Sequence, residues 1–266
     1  MIVFTDLDGT LLDHHSYDCT PALPAVARLR AGRVPIVLTT SKTLAETHHH
    51  ARTLDLDDPL ITENGGAGCT PLAAHTDQPT DSLMSGYGIS VSGPGYRALV
   101  KWLHRLRRTH GFRFTGFSDW TVEQVAEHTG LDRAAAERAR QRLATEPLAW
   151  EDSQEAWMRF QGEAGQVGLR CVQGGRFRHL IGPRGKAEAM SMVLKQSPPT
   201  DGPIVALGDG PNDREMLLQA DIAVVIRNHN GGYLDLPERP DAIRTRAAGP
   251  RGWREAIECI LEGHPV

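Results

Sequence analysis

Two carboxylates near the beginning of the chain, Asp6 and Asp8, stand two positions apart in the stretch FTDLDGTLLD at residues 4–13. A strand turns alternate side chains to the same face. The two acids would therefore lie together, and each would disfavour ionisation of the other. A bound cation is the commonest compensation for such crowding. The spacing predicts a metal site at the tip of the first strand.

Further polar groups follow other apolar runs of the sequence. The stretch TTSK occupies 39–42, GDGPND occupies 208–213, and Lys186 begins the helical pattern that precedes the second of these. Ligands of open parallel sheets bind at the carboxyl ends of the strands. The carboxylates, hydroxyls, amide and ammonium are therefore expected to converge at one edge of one sheet.

These groups suit a hard cation and a phosphoryl group. Oxygen ligands without histidine or cysteine are typical of Mg²⁺, and Asp6, Asp209 and Asp213 are the candidate ligands. Backbone N–H groups of the turn after Asp6 can form a seat for an anion. The candidate phosphate-binding residues are Leu7, Thr40, Ser41, Lys186 and Asn212.

Phosphoryl transfer requires positioning, charge stabilisation and a nucleophile. An ionised carboxylate is a competent nucleophile, a role that falls to Asp6. Asp8 would protonate the leaving oxygen and later activate water, with Thr40 and Lys186 completing the catalytic set. Asp-Gly pairs are also common in turns, so each motif alone is ambiguous, whereas their combination favours a site. The sequence contains no GxxxxGK[ST] motif, which excludes a nucleotide P-loop.

The elements that position these residues follow from the apolar pattern. Short, continuously apolar runs rich in β-branched residues indicate buried parallel strands, and amphipathic segments alternate with them. This alternation predicts a Rossmann-like, doubly wound α/β sheet. The runs are IVFT (2–5), PIVLTT (35–40), PLIT (59–62), IVALG (204–208) and DIAVVI (221–226).

The middle of the chain has a mixed pattern that predicts an inserted α+β cap domain at 83–181, with the core formed by 1–82 and 182–266. Helical spacing covers 95–110, two short helices are interrupted at Gly130, and the strands LRCVQ and RFRHLI form a hairpin around Gly174-Gly175. Because only residues 14–20 separate Asp13 from Pro21, no cap can form there. The inserted domain is therefore expected to cover the site and read the leaving group.

Composition excludes several classes of protein. The 266 residues are 40% hydrophobic with a net charge of −4, so no global basic field favours nucleic acid or an anionic membrane. The four cysteines form no CxxC pair, which favours reduced thiols in the cytoplasm over a zinc or disulfide framework. No apolar run approaches a membrane span. We expect a soluble cytoplasmic protein with a small-molecule substrate.

The motifs DLDGT, Thr40, Lys186 and GDGPND resemble, in order and across the whole chain, the four motifs of the haloacid dehalogenase-like phosphatases. The resemblance implies that Asp6 is the nucleophile and Asp8 the general acid/base. It also implies that Mg²⁺ takes a side-chain oxygen of Asp6, the carbonyl of Asp8 and the carboxylate of Asp209. Asp213 would support these metal ligands from outside or bind the metal through water.

Longer stretches resemble the mannosyl-3-phosphoglycerate phosphatases within that superfamily, and TSK stands where broader sugar-phosphatase relatives have TGR. The resemblance implies that the substrate is a phosphorylated sugar-glycerate, mannosyl-3-phosphoglycerate, and the product the compatible solute mannosylglycerate. The stretches are DLDGTLLDHHSYD, LTTSKTLAE, ITENGGA, GFRFTGFSDWTVEQVAEHTGL, ARQRLATEPLAWED, GGRFRHLIG and GDGPND.

Such a substrate carries a carboxylate, a phosphate and a hexose, which call for cationic, amide and carboxylate partners. Arg142 could instead cover the surface of a helix with the aliphatic part of its side chain. Arg176 and His179 could instead be cross-strand residues that point outward. Two further readings stay open: a glucosyl-3-phosphoglycerate or general sugar-phosphate phosphatase, and a non-catalytic, metal-dependent phospho-ligand sensor. The candidate substrate-binding residues are Lys42, Glu63, Asn64, Arg142, Glu146, Arg176 and His179.

Overall fold

The computed structural model describes residues 1–72, 82–174, 176–197 and 201–263. These residues form two compact units. The first consists of the described residues within Met1–Thr40, Ala51–Leu60 and Lys186–Val266, and the second of those within Ser41–His50 and Ile61–Gly185. The predicted cap at 83–181 falls within the range of the second unit, and its boundaries stay a prediction.

The first unit carries a parallel sheet. Its strands, numbered along the whole chain, are β1 (Ile2–Thr5), β2 (Ile36–Thr39), β11 (Ile204–Gly208), β12 (Ile222–Arg227) and β13 (Ile243–Ala248). They lie in the order β13-β12-β11-β1-β2, with Val3 of β1 opposite Val205 of β11 and Ile36 of β2. The helices are α1 (Leu23–Ala31), α7 (Lys186–Gln196), α8 (Arg214–Gln219) and α9 (Gly249–Glu262).

The burial of these strands explains the sequence pattern. Every residue of β1 and β2 is buried, as expected for parallel strands covered on both faces. The parallel α/β core predicted from the sequence is confirmed. The edge strand β13 escaped prediction because the sequence IRTRAA alternates exposed arginines with inward residues and has no continuous apolar run.

The second unit is mixed α+β. The helix α2 (Leu44–Thr53) and the strand β3 (Leu60–Thr62) contain residues of both units. The other strands are β4 (Ala67–Pro71), β5 (Ser82–Met84), β6 (Tyr87–Val91), β7 (Phe114–Gly116), β8 (Glu146–Trp150), β9 (Arg170–Gln173) and β10 (Arg178–Ile181). The helices are α3 (Tyr96–His110), α4 (Val122–Thr129), α5 (Arg133–Ala139) and α6 (Gln154–Gln166).

Its strands pair antiparallel, β6 with β4 and β5, and in a separate sheet of order β7-β8-β10-β9. The predicted helix over 95–110 is α3. The predicted hairpin strands are β9 and β10, although Gly175 between them lies outside the described residues. Gly130 ends α4 in the left-handed conformation with φ +76°, and the Asp132 side chain accepts a hydrogen bond from the N–H of Ala135 to begin α5.

Within the described part of the chain, no helix combines the length and the apolar character that crossing a bilayer requires. The cysteines Cys19, Cys69, Cys171 and Cys259 carry free thiols. Burial raises the pKa of Cys69 to about 12, so this thiol stays protonated near neutral pH.

Candidate active site

The first unit brings the acidic loops that follow β1 and β11 side by side. The two strands pair in parallel, with Thr5 opposite Leu207, and the N–H of Asp6 donates to the carbonyl of Leu207 at 3.0 Å. Asp6 therefore stands at the carboxyl end of β1, and only 6% of the residue is exposed. The strand register alone thus puts Asp6 beside the loop that carries Asp209.

Lys186, the first residue of α7, links two buried carboxylates. Its Nζ lies 2.6 Å from Oδ1 of Asp6 and 2.6 Å from Oδ1 of Asp213. Burial opposes a charge on this amine, but the attraction of Asp213 and Asp6 outweighs it and holds the pKa of Lys186 above its ordinary value. The ammonium therefore fixes the rotation of the Asp6 carboxylate.

Asp213 and Asp209 are held by different groups. Oδ2 of the fully buried Asp213 accepts hydrogen bonds from the N–H groups of Asp209 at 3.1 Å and Gly210 at 2.9 Å. Oδ1 of Asp209 accepts one from the hydroxyl of Thr10 at 3.1 Å. Both oxygens of Asp213 are thus engaged by the chain, which suits it to support the cluster from outside.

Burial and mutual repulsion dominate the electrostatics of the cluster. Burial raises the pKa of Asp6 well above its ordinary value; Lys186 opposes this shift, and Asp213 and Asp209 add to it. Burial and the charge of Asp213 raise the pKa of Asp209 to about 7. A positive ion beside these carboxylates would favour their ionised forms.

The cluster has the donor set of a divalent cation. One carboxylate oxygen from each of Asp6, Asp209 and Asp213 lies within 4.8 Å of the others. All three are hard oxygen donors, of the kind that Mg²⁺ uses together with water. Without a cation, crowded carboxylates resist ionisation. The arrangement of these three is therefore suited to binding a cation between them.

The other predicted residues of this motif set lie in the adjoining loops. Asp8 is partly buried, in a loop closed by the bonds from the N–H of Gly9 to the carbonyl of Leu12 and from the N–H of Thr10 to the carbonyl of Leu7. Thr40 directly follows β2 and is 1% exposed, whereas Ser41 and Asn212 are partly exposed. The catalytic and phosphate-binding roles of these residues stay predictions.

The predicted substrate-binding residues lie in the second unit. Glu63 and Arg142 are joined in a buried network. Glu146 accepts hydrogen bonds from the hydroxyl of Tyr96 and the N–H of Ser118. Their contacts with a substrate stay predictions.

The remaining candidates differ in their surroundings. The exposed Arg176 donates to the carbonyl of Thr129 at 2.6 Å. Lys42, Asn64 and His179 are buried, at 9%, 2% and 7% exposure. Of these, Arg176 alone has ready access to solvent, so a role for the other three requires that a ligand reach a largely enclosed side chain.

Two structural contributions to the acidic cluster are not predicted by the sequence. Thr10 belongs to the DLDGT motif, but only the structure shows that its hydroxyl donates to Oδ1 of Asp209. Gly9 has φ +79°, and a Cβ there would lie 2.6 Å from Oδ2 of Asp209. The sequence offers one signal, the run Asp-Gly-Thr, but the partner 199 residues further on appears only in the fold.

Comparisons with known proteins concern the sequence family and the fold. A sequence profile of haloacid dehalogenase-like hydrolases matches residues 3–80. A Thermoplasma acidophilum protein has the same fold at TM-score 0.70 and 16% identity, over 98% of this chain and 97% of that chain.

Two solved phosphatases are also similar in fold. A sugar phosphatase of subclass IIB of the haloacid dehalogenase (HAD) superfamily matches at TM-score 0.67 and 16% identity, over 98% of each chain. A phosphatase of the same superfamily from Bacteroides thetaiotaomicron matches at TM-score 0.60 and 19% identity, over 85% of this chain and 84% of that one. The profile match and the fold support the superfamily resemblance, while the mannosyl-3-phosphoglycerate phosphatase resemblance stays a prediction.

Proposed function

We propose that this protein is a Mg²⁺-dependent phosphatase of the haloacid dehalogenase-like superfamily that hydrolyses its substrate through a phosphorylated Asp6. The observation that carries the proposal is the cluster at the ends of β1 and β11. There a buried carboxylate at a strand tip is fixed by an ammonium and flanked by two further carboxylates.

The residues of the cluster have different roles. Asp6 and Asp209 would hold the cation with side-chain oxygens and Asp8 with its carbonyl, and Asp213 would support them from outside. When bound, the cation supplies positive charge that stabilises the phosphoryl oxygens and keeps the carboxylates ionised. Lys186 orients Asp6 through Oδ1 and adds positive charge. Thr40 and Asn212 would donate hydrogen bonds to phosphate oxygens.

Two displacements at phosphorus complete the reaction. In the first, an Asp6 oxygen forms a bond to phosphorus, the ester P–O bond breaks, and Asp8 gives its proton to the leaving oxygen. In the second, Asp8 takes a proton from water, the water oxygen bonds to phosphorus, and the bond to Asp6 breaks. Inorganic phosphate leaves with Asp6 restored, and Asp8 is again protonated.

The proposed substrate is mannosyl-3-phosphoglycerate. The stretches of the chain that resemble the phosphatases of this ester, including TSK at 40–42, support the choice. The second unit contains carboxylate, amide and cationic side chains. These are the types of group that bind the hydroxyls of a hexose and the carboxylate of a substrate. The residues proposed to serve specificity belong to this unit.

A general sugar-phosphate phosphatase is the second candidate, because a HAD subclass IIB sugar phosphatase shares the fold over 98% of the chain. A phosphate-release screen with Mg²⁺ separates the two. We expect kcat/KM for mannosyl-3-phosphoglycerate to exceed that for mannose 6-phosphate by about a hundredfold or more, since a site built to pair with extra polar groups rejects analogues that lack them. Equal values would select the general sugar phosphatase, and glucosyl-3-phosphoglycerate belongs in the same screen.

A further inference from the structure

The Glu63 carboxylate, one of the candidate substrate ligands, occupies a ring of donors from its own chain. Oε1 accepts from the N–H of Leu143 at 2.6 Å, and Oε2 accepts from the N–H groups of Ala144 at 3.1 Å and Thr145 at 2.8 Å. The hydroxyl of Thr145 adds a fourth bond at 2.9 Å. Three successive amides thus converge on a residue that is fully buried.

The backbone around Glu63 is held in an uncommon conformation. Glu63 and Asn64 have φ values of 53° and 56°, the left-handed region that residues other than glycine rarely adopt. Gly66 follows, where a Cβ would lie 2.8 Å from Thr145 and 2.9 Å from Ala144. Strain of this kind persists only where the surroundings over-determine it, and it often marks a functional segment.

Arg142 completes the network, and each of its three guanidinium nitrogens donates to the chain. Nε donates to the carbonyl of Thr145 at 2.8 Å and lies 3.7 Å from Oε2 of Glu63. Nη1 donates to the carbonyl of Ala139 at 3.3 Å. Nη2 donates to the hydroxyl of Thr145 at 2.7 Å and to the carbonyl of Ser41 at 3.2 Å. The side chain is 3% exposed, so its hydrogen bonds are internal.

The network holds the segment that follows Thr40. The carbonyl of Ser41 accepts from Arg142, and the next carbonyl, that of Lys42, accepts from the N–H of Glu63 at 2.8 Å. Two successive carbonyls are therefore fixed by the same pair of residues. These carbonyls belong to the TSK stretch, to which we assign phosphate and substrate binding.

We infer that Glu63 and Arg142 are positioning residues of the phosphatase, which fix the Ser41–Lys42 backbone instead of touching the substrate. This inference rests on the proposed function. A displacement of about 1 Å in a reacting group costs about a hundredfold in rate, so loosening two consecutive peptide units lowers catalysis. The loss is the same for every substrate, because no contact with the sugar or its carboxylate is removed.

Steady-state kinetics on two substrates test the inference. We expect Glu63→Ala and Arg142→Ala to lower kcat/KM by about ten- to a hundredfold, by equal factors for p-nitrophenyl phosphate and for the preferred sugar phosphate. Glu63→Gln should lose less than Glu63→Ala, because its amide oxygen can keep the bonds made by Oε2. Wild-type kcat/KM per folded molecule, or a loss confined to the sugar substrate, overturns the inference.

A control and a second measurement separate positioning from general destabilisation. Asp119→Asn breaks the bidentate ion pair with Arg107 (2.8 Å for each bond) in the same unit, and should leave kcat/KM within twofold of wild type. Hydrogen exchange of peptides covering 36–50 should accelerate in Glu63→Gln and stay unchanged in Asp119→Asn. Unchanged exchange in Glu63→Gln overturns the inference. This measurement needs no turnover, so it stands even if the wild type releases no phosphate and the proposed function fails.

Discussion

Replacing Lys186 by methionine removes one charge from the centre of the acidic cluster while keeping a side chain of similar length. The Nζ atom lies 2.6 Å from both Asp6 and Asp213, and the side chains of these acids are 8% and 0% exposed. The variant leaves two buried carboxylates without their cationic partner. Removing one member of a buried ion pair costs about 3–5 kcal/mol, a large share of the 5–15 kcal/mol that stabilises a typical domain.

Urea unfolding in the presence of a chelator, followed by circular dichroism, measures this loss. With a slope near 3 kcal/mol per molar urea, a loss of about 3–5 kcal/mol lowers the midpoint of the affected transition by roughly 1–2 M. Lys195 provides the matched control, because it lies on the same helix and is exposed. Lys195→Met should change stability by no more than about 0.5 kcal/mol.

Turnover gives the second readout of the same variant. Loss of a preorganised positive group beside the reacting carboxylate should lower kcat by about a hundredfold or more, whereas Lys195→Met should keep the wild-type value. If Lys186→Met unfolds at the same urea concentration as Lys195→Met, the ion pairs do not stabilise the native state. If it also turns over at the wild-type rate, the role assigned to Lys186 is wrong.

Three other perturbations address separate parts of the protein. Gly9→Ala introduces a Cβ 2.6 Å from Asp209 at a φ of +79°; calorimetric titration should show weaker Mg²⁺ binding, and unchanged affinity would contradict the close approach. Burial raises the pKa of Glu146, so at a pH between the pKa of the unfolded state and that of the native state, the native state binds more protons. The stability that Glu146 contributes is therefore present below its pKa in the unfolded state and is lost as pH rises through its pKa in the native state. Glu146→Gln can retain bonds to Tyr96 and Ser118, so its stability relative to wild type should rise from acid to neutral pH in denaturant titrations, and a pH-independent difference would refute the shift. Chelation by EDTA should abolish phosphate release and Mg²⁺ restore it, while activity that survives dialysis against EDTA would remove the cation from the proposal.

Much of the parallel core and of the acidic cluster follows from local sequence. Runs such as IVALG are apolar throughout and begin with two β-branched residues, a pattern typical of a strand buried on both faces. The carboxyl ends of parallel strands meet at one edge, so residues after β1 and β11 had to come together. The cluster of Asp6, Asp209 and Asp213 is the direct consequence of that rule.

The parts that escaped prediction depend on contacts distant in sequence. Glu63 has the chemistry of a sugar ligand, yet its carboxylate is taken by three amides about 80 residues away along the chain. The strand β8 begins with Glu146 and Pro147 and carries no alternating pattern, because the pairing with β7 and β10 defines it. Residue types thus reveal which groups can act, whereas the fold decides which of them are already occupied.

A covalent phosphoryl group on Asp6 is the central claim, and an acid-quenched single turnover observes it directly. Protein mixed with Mg²⁺ and the best substrate of the screen is quenched within one turnover, digested and analysed by mass spectrometry. The phosphoryl group should appear on the peptide that contains Asp6, increase in Asp8→Asn, and be absent from Asp6→Asn. Phosphate released at the wild-type rate by Asp6→Asn, or a phosphoryl group on another residue, would contradict the mechanism.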